Sequence, residues 1–397
     1  MSKSSIKAAL LQVHSIIGLV LALLWAVVGI TGATMAFEDE IQASLNRDIM
    51  RVDPSAAPRL TPDELVARLQ AAGDFGKASA VTMSSDPSAA ARIRFARSEG
   101  GTRPTSVYVD PYDGHVLGSP WAEDFFATVR KLHRWLLLPG DGNGYGRKIT
   151  GTAAICLIVM LISGLVLRWP HRVRSLKMWL KPNLGLRGRG LHRSLHAVIG
   201  TWVLPIYLVM TLTGLWYSFE WYKAGATWLF AGHATKTATM QPKAPKAPRD
   251  AATSEGNSET KPLTFDRVWS AFLRQEGSYG RALLTMPAGA GTVVRVRSWA
   301  RDASLDTVRD EFRIDAVTGR VISADRYADK TLGERVLASV LDIHRGAILG
   351  WPGRLAFMLA AATMPLFTIT GYLLYLSRRR HRRLAQRPPI GCLVPGE

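Results

Sequence analysis

KLHRWLLLPGDGNGYGRKITGTAAICLIVMLISGLVLRWP (131–170) decides the fold class. A His-Arg pair and a leucine run closed by Pro-Gly lead into 149–167, which contains no Asp, Glu, Lys or Arg. An uncharged apolar run of that length crosses roughly 30 Å of hydrocarbon as a helix. Three more such runs occur, at about 8–37, 194–219 and 355–377. Soluble proteins rarely bury uncharged helices this long, so four in one chain predict an α-helical membrane protein with four spans.

The net charge of +19 is placed where topology needs it. The N-terminus, the loop between the second and third spans and the C-terminal tail together hold sixteen Lys and Arg against one acid, Glu397. All three lie on the same side of the spans, so the positive-inside rule puts both termini and that loop in the cytoplasm. The basicity therefore reads as orientation and attraction to anionic membrane lipid, and no nucleic-acid partner is expected. The expected localisation is a bacterial inner membrane, multi-pass, with the soluble domains in the periplasm. The first apolar run is too long for a signal peptide and lacks a cleavage site, so it reads as a retained helix. Cys156 lies inside a span and Cys392 in the tail, which gives neither a disulfide framework nor a cysteine metal site.

The sequence thus divides into a cytoplasmic N-terminus with the first span (1–37), a first periplasmic domain (38–147) and the second span (148–169). A basic cytoplasmic loop (170–193) and the third span (194–219) follow. A second periplasmic domain (220–353), the fourth span (354–377) and a basic tail (378–397) complete it. Both long segments alternate in hydropathy. SVYVDPYDGHVLG (106–118) and EFRIDAVTGRVIS (311–323) each read as strand, turn and strand. TPDELVARLQAAG (61–73) reads as a Thr-capped helix with Pro at its first position, and TFDRVWSAFLRQEG (264–277) matches it. Two small α+β domains are expected, the second with a disordered stretch at 234–262.

Matched offsets tie the halves together. His14 is followed by Gly18 and by Thr31-Gly32, and His196 by Gly200 and Thr213-Gly214, at identical distances. Arg147 precedes Ser163-Gly164 as Arg354 precedes Thr370-Gly371, and His133-Arg134 and His344-Arg345 stand ahead of them. The chain therefore reads as a four-helix bundle built from two parallel repeats about an axis along the membrane normal. Its Gly, Ser and Thr positions suit close helix contact.

The repeat pairs the histidines. His14 and His196 occupy one repeat position at the cytoplasmic end, and His133 and His344 another at the periplasmic end. Opposed imidazoles in an apolar bundle, without carboxylate or cysteine, suit b-type haem, which takes an axial nitrogen on each face. No CxxCH is present for covalent attachment. The cofactor expected is two haem b. Arg134 and Arg345 could meet propionates. His192, four residues before His196, is the substitute ligand, and His171 reads as an interfacial anchor. From His14 to Thr31 the helix rises roughly 26 Å, so the two sites would stand near opposite faces.

YVDPYDGHVLG and FRIDAVTGRVIS resemble the PepSY domain, and LHRWLLLPG…GRKITG…ISGLVLRWP resembles the PepSY-associated transmembrane-helix family, whose members include ferrisiderophore reductases of inner membranes. The resemblance covers nearly the whole chain. It implies two b haems on His14, His133, His196 and His344, although DIHRGAILGWPGR lacks the aromatic-leucine run around His133. It also implies an oxidoreductase that reduces a ferric siderophore in the periplasm, with periplasmic iron-uptake proteins as further partners. No nucleotide fingerprint occurs in the sequence, so a cytoplasmic or quinol electron donor is expected. The rival expectations are a haem-free anchor whose PepSY domains bind or regulate a periplasmic protein, and a siderophore or haem permease. Uncharged spans without an obvious broken-helix pair argue against the permease, a point that Pro205 and Pro365 weaken.

Overall fold

The structure, a computed structural model, describes residues 3–96, 105–169, 174–232, 264–287 and 291–385. His171 and the stretch 234–262 lie outside these residues. In chain order the principal elements begin with α1 (Lys3–Thr34), α2 (Pro62–Ala72), β1 (Ala78–Ser84), β2 (Ala91–Phe95), β3 (Ser106–Val109) and β4 (Val116–Gly118). Helices α3 (Glu123–Trp135), α4 (Tyr145–Arg168), α5 (Gly188–Ser218) and α6 (Phe265–Gln275) follow. Strands β5 (Arg281–Thr285), β6 (Val293–Trp299), β7 (Asp310–Asp315) and β8 (Val321–Asp325) precede α7 (Gly350–Ala362) and α8 (Met364–Ala385).

The chain forms two compact units. The first holds 1–36, 127–223 and 343–397; the second holds 37–126 and 224–342. His133 and His344 thus belong with the helices and not with the soluble domains to which the sequence boundaries assigned them.

Four stretches of the first unit are long and apolar enough to cross a membrane: Ser5–Thr34, Tyr145–Arg168, Gly188–Ser218 and Ala347–His381. Among them α1 packs on α4 and α8, and α5 packs on the same two helices, closing a four-helix ring. Two hydrogen bonds clasp neighbours at matched positions. Trp25, eleven residues after His14, donates its indole N–H to the Ala153 carbonyl at 3.2 Å. Tyr207, eleven residues after His196, donates its hydroxyl to the Ala360 carbonyl at 2.8 Å.

The fourth span is not one helix. It breaks at Thr363, between α7 and α8, because Pro365 has no N–H to offer the carbonyl four residues back. Tyr207 and the Thr363 hydroxyl converge on Ala360 there. Gly29 of α1 fits against the opened backbone: a Cβ on it would meet the Ala361 carbonyl oxygen at 2.6 Å and Met364 Cβ at 2.5 Å. Pro205, by contrast, lies inside an uninterrupted α5.

The second unit departs from the two domains expected. Its strands form one eight-stranded antiparallel sheet in the order β4-β3-β2-β1-β5-β6-β7-β8. Two four-stranded meanders join where β1 pairs with β5, with Ala80 opposite Thr285 and Thr82 opposite Leu283. Each meander alone would leave that strand as an open edge, and pairing satisfies both. One face is the core: Leu65 and Leu69 of α2 and Val268 and Phe272 of α6 pack on Val81, Ile93, Leu284, Val296 and Phe312. Thr61 caps α2 as expected, in a capping box with Glu64. Thr264 does not cap α6 with its side chain. Asp63 of α2 does so, accepting from Phe265 and Asp266 N–H groups at 2.9 Å each, while Asp266 accepts from the Asp63 N–H at 2.9 Å.

Replacing Gly29 with Val should cost about 2 kcal/mol by overpacking α1 against the break in the fourth span, seen as a lowered thermal midpoint in detergent. Gly18→Ala is the control: its added methyl meets the flexible end of Met160 at 3.1 Å, and the midpoint should hardly move.

Candidate histidine site

Four helix positions each send an imidazole to a small hydroxyl residue on a neighbouring element. Nδ1 of His14 lies 2.9 Å from Ser163 Oγ. Nδ1 of His133, on α3, lies 3.0 Å from Thr31 Oγ1 and 3.0 Å from the Val28 carbonyl oxygen. Nδ1 of His196 lies 2.8 Å from Thr370 Oγ1, and that of His344 lies 2.8 Å from Thr213 Oγ1. The glycine after each hydroxyl residue gives the ring its seat. A Cβ there would meet the imidazole Cε1 at 3.1 Å (Gly32 on His133), 3.3 Å (Gly164 on His14) or 3.7 Å (Gly214 on His344, Gly371 on His196).

The hydrogen bonds fix the tautomer. A carbonyl only accepts, so His133 must donate from Nδ1 to Val28. The hydroxyl hydrogens are engaged elsewhere. Thr31 donates to Val27 O at 2.7 Å, Thr213 to Val209 O at 2.6 Å, Thr370 to Leu366 O at 2.7 Å and Ser163 to Met160 O at 3.2 Å. Each hydroxyl is left to accept Nδ1–H, so Nε2 of every ring carries a free lone pair. That is the arrangement by which a second hydrogen bond orients a metal-binding histidine and raises its basicity.

The rings of His14 and His196 are neighbours, edge-on to one another, with centroids 6.4 Å apart and planes inclined at 71°. A metal bound at about 2 Å by one nitrogen of each of two rings separates the ring centres by roughly 6 Å. His133 and His344 are also neighbours. Burial pushes the His344 imidazole down to about 3, reinforced by the nearness of His133 and then of Arg345 and Arg134, against the pull of an acceptor at the Met210 backbone. Burial likewise pushes His133 down to about 4, opposed by its bond to Val28. Both rings are neutral at physiological pH, as a nitrogen ligand must be. All four rings are enclosed by helices yet keep part of their surface free.

Arg134 places its guanidinium 5.8 Å from the Tyr217 ring centre. Desolvation first, and then the like charges of Arg130 and Arg345, push its pKa down, so positive charge is gathered beside His133 and His344. His192 sits on α5, half-buried, and makes no hydrogen bond among the described residues; it lacks the hydroxyl that holds His196. Arg147, picked out in the sequence by its offset alone, donates to the Tyr217 carbonyl at the end of α5 and pairs with Glu220 at 2.8 Å. The hydroxyl-glycine pairs, read in the sequence as helix-contact positions, are the seats of the histidines. The sequence showed them only as matched offsets, Thr31-Gly32 and Thr213-Gly214 from His14 and His196 and Ser163-Gly164 and Thr370-Gly371 from Arg147 and Arg354, and each pair seats a histidine other than the residue it was counted from.

A family model described as PepSY-associated TM region matches residues 11–378 of the chain. No curated protein matches it.

The two kinds of seat should differ in strength. Thr370 is the hydrogen-bond partner of His196 Nδ1, so Thr370→Val should strand a buried donor and cost about 1–3 kcal/mol. Thr31→Val leaves His133 its bond to Val28 and should cost less than about 1 kcal/mol. Thermal unfolding of the two variants side by side checks the order.

Proposed function

Because the chain belongs to the PepSY-associated transmembrane family, we propose that it carries electrons across a bacterial inner membrane on two b haems and reduces a ferric siderophore. On this reading the chain is a duplicated unit with cytoplasmic termini and a periplasmic sheet. His14 and His196 hold the cytoplasmic haem, and His133 and His344 hold the periplasmic one. The observation that carries the reading is the set of four imidazoles, each fixed through Nδ1 with Nε2 free, one pair with ring centroids 6.4 Å apart.

The donor set fits the group. Neutral nitrogen ligands come in two neighbouring pairs with no carboxylate among them, and Arg134 and Arg345 bring positive charge that would suit propionates. A b haem between two imidazoles supplies a one-electron carrier whose potential answers to its axial ligands, their hydrogen bonds and burial. The chain's own part is positioning. Ser163, Thr31, Thr370 and Thr213 lock ring orientation, and the glycines let each ring lie close to the neighbouring backbone. Electrons come from a separate cytoplasmic or quinol donor. One electron delivered to the ferric centre yields ferrous iron, which hard oxygen ligands hold more weakly, so iron leaves with the chelator intact.

Oxidised and reduced visible spectra of the purified protein test this directly. The expected result is a low-spin b-type spectrum, with His14→Ala and His133→Ala each removing about half of the haem, since each takes one ligand from one of two sites. A haem-free preparation after haem-supplemented expression would sink the proposal and favour the anchoring role.

A further inference from the structure

The sheet's second face carries a repeated charge pattern. Arg92-Ile93-Arg94 on β2 and Arg295-Val296-Arg297 on β6 put two arginines each on the side opposite the core, because Ile93 and Val296 point into it. The register lines them up. One row across the strands runs Arg94, Ala80, Thr285, Arg295, Arg313. The next runs Arg92, Thr82, Leu283, Arg297, Glu311. Uncharged side chains over the β1–β5 seam, Ala80, Thr82, Leu283 and Thr285, therefore make a floor, and arginines wall it on both sides about 14 Å apart, three strand spacings.

Only part of this charge is answered. Arg92 pairs with Glu123 at 2.7 Å and Arg297 with Glu311 at 3.3 Å. The guanidinium groups of Arg94, Arg295 and Arg313 make no hydrogen bond or ion pair among the described residues. Nε of Arg295 is enclosed without an acceptor. Burial and then the charges of Arg297 and Arg313, against the opposing carboxylate of Glu311, push the Arg295 guanidinium below its usual range. A folded protein gains nothing from crowding unpaired guanidinium groups; an anion laid between them reverses the balance.

We propose that the arginine-walled trough over the β1–β5 seam binds the substrate, an acidic ferric chelate whose carboxylate or catecholate oxygens reach Arg94 on one wall and Arg295 on the other. The spacing of the walls favours a ligand with acidic groups at two ends over a single small anion. That the anion is a ferric chelate rests on the reductase reading; that an anion binds here rests on the sheet alone.

The test is equilibrium binding of ferric citrate, by calorimetry, to the full chain in nanodiscs of uncharged lipid, with the visible spectrum recorded on the same sample. The double variant Arg94→Ser/Arg295→Ser should bind at least roughly tenfold more weakly with an unchanged thermal midpoint, and Arg94→Lys/Arg295→Lys should keep most of the affinity. Binding to wild type should fall as salt rises. Equal affinity in wild type and the serine variant would overturn the proposal. So would arginine-dependent binding to anionic phospholipid vesicles without binding of ferric citrate. A preparation that lacks haem but binds ferric citrate through these arginines would remove the electron-transfer reading and leave the anion site standing.

Discussion

A bond between an imidazole N–H and the hydroxyl of a neighbouring span recurs four times, and the architecture of the bundle follows from it. In hydrocarbon a polar side chain must find its partner within the protein. Each histidine does so at a Ser-Gly or Thr-Gly pair whose hydroxyl is already tied to its own helix. This ties α1 to α4 through His14 and α5 to α8 through His196, and it holds the segments carrying His133 and His344 to α1 and α5. The same bonds occupy Nδ1 in packing and leave Nε2, on the other edge of each ring, without a partner among the described residues.

What the sequence revealed was mostly local. Long uncharged runs, the Thr61 cap, the two hairpins and the repeat positions of the histidines all lie within short windows or fixed offsets. The structure adds contacts between residues far apart in the chain. Asp63 caps a helix that begins two hundred residues later, and a single sequence carries no mark of that pairing. The join of β1 to β5 is of the same kind. Proline was an ambiguous sign. Pro365 follows a broken helix and Pro205 lies in a continuous one, and the difference rests on what surrounds each: at Thr363 the freed backbone meets Tyr207 and the bare Cα of Gly29.

The glycines illustrate how one residue type takes different duties in one bundle. Gly29 admits a bent backbone, whereas Gly32, Gly164, Gly214 and Gly371 admit rings. Helix contact through small residues, expected at the matched Gly, Ser and Thr positions, misses the rings that four of those glycines admit. Matched offsets mark these glycines as a set, and only the fold shows which histidine each one seats.

The central seam has a consequence for how such a chain could be divided. β1 and β5 meet antiparallel, as two copies of one strand meet across a two-fold axis. Separated from its partner, either meander would present an unsatisfied edge strand, the form in which sheets pair with other chains. Carrying both meanders on one chain keeps each of these edges covered. It also makes assembly independent of concentration, since the partner edge is always carried on the same chain.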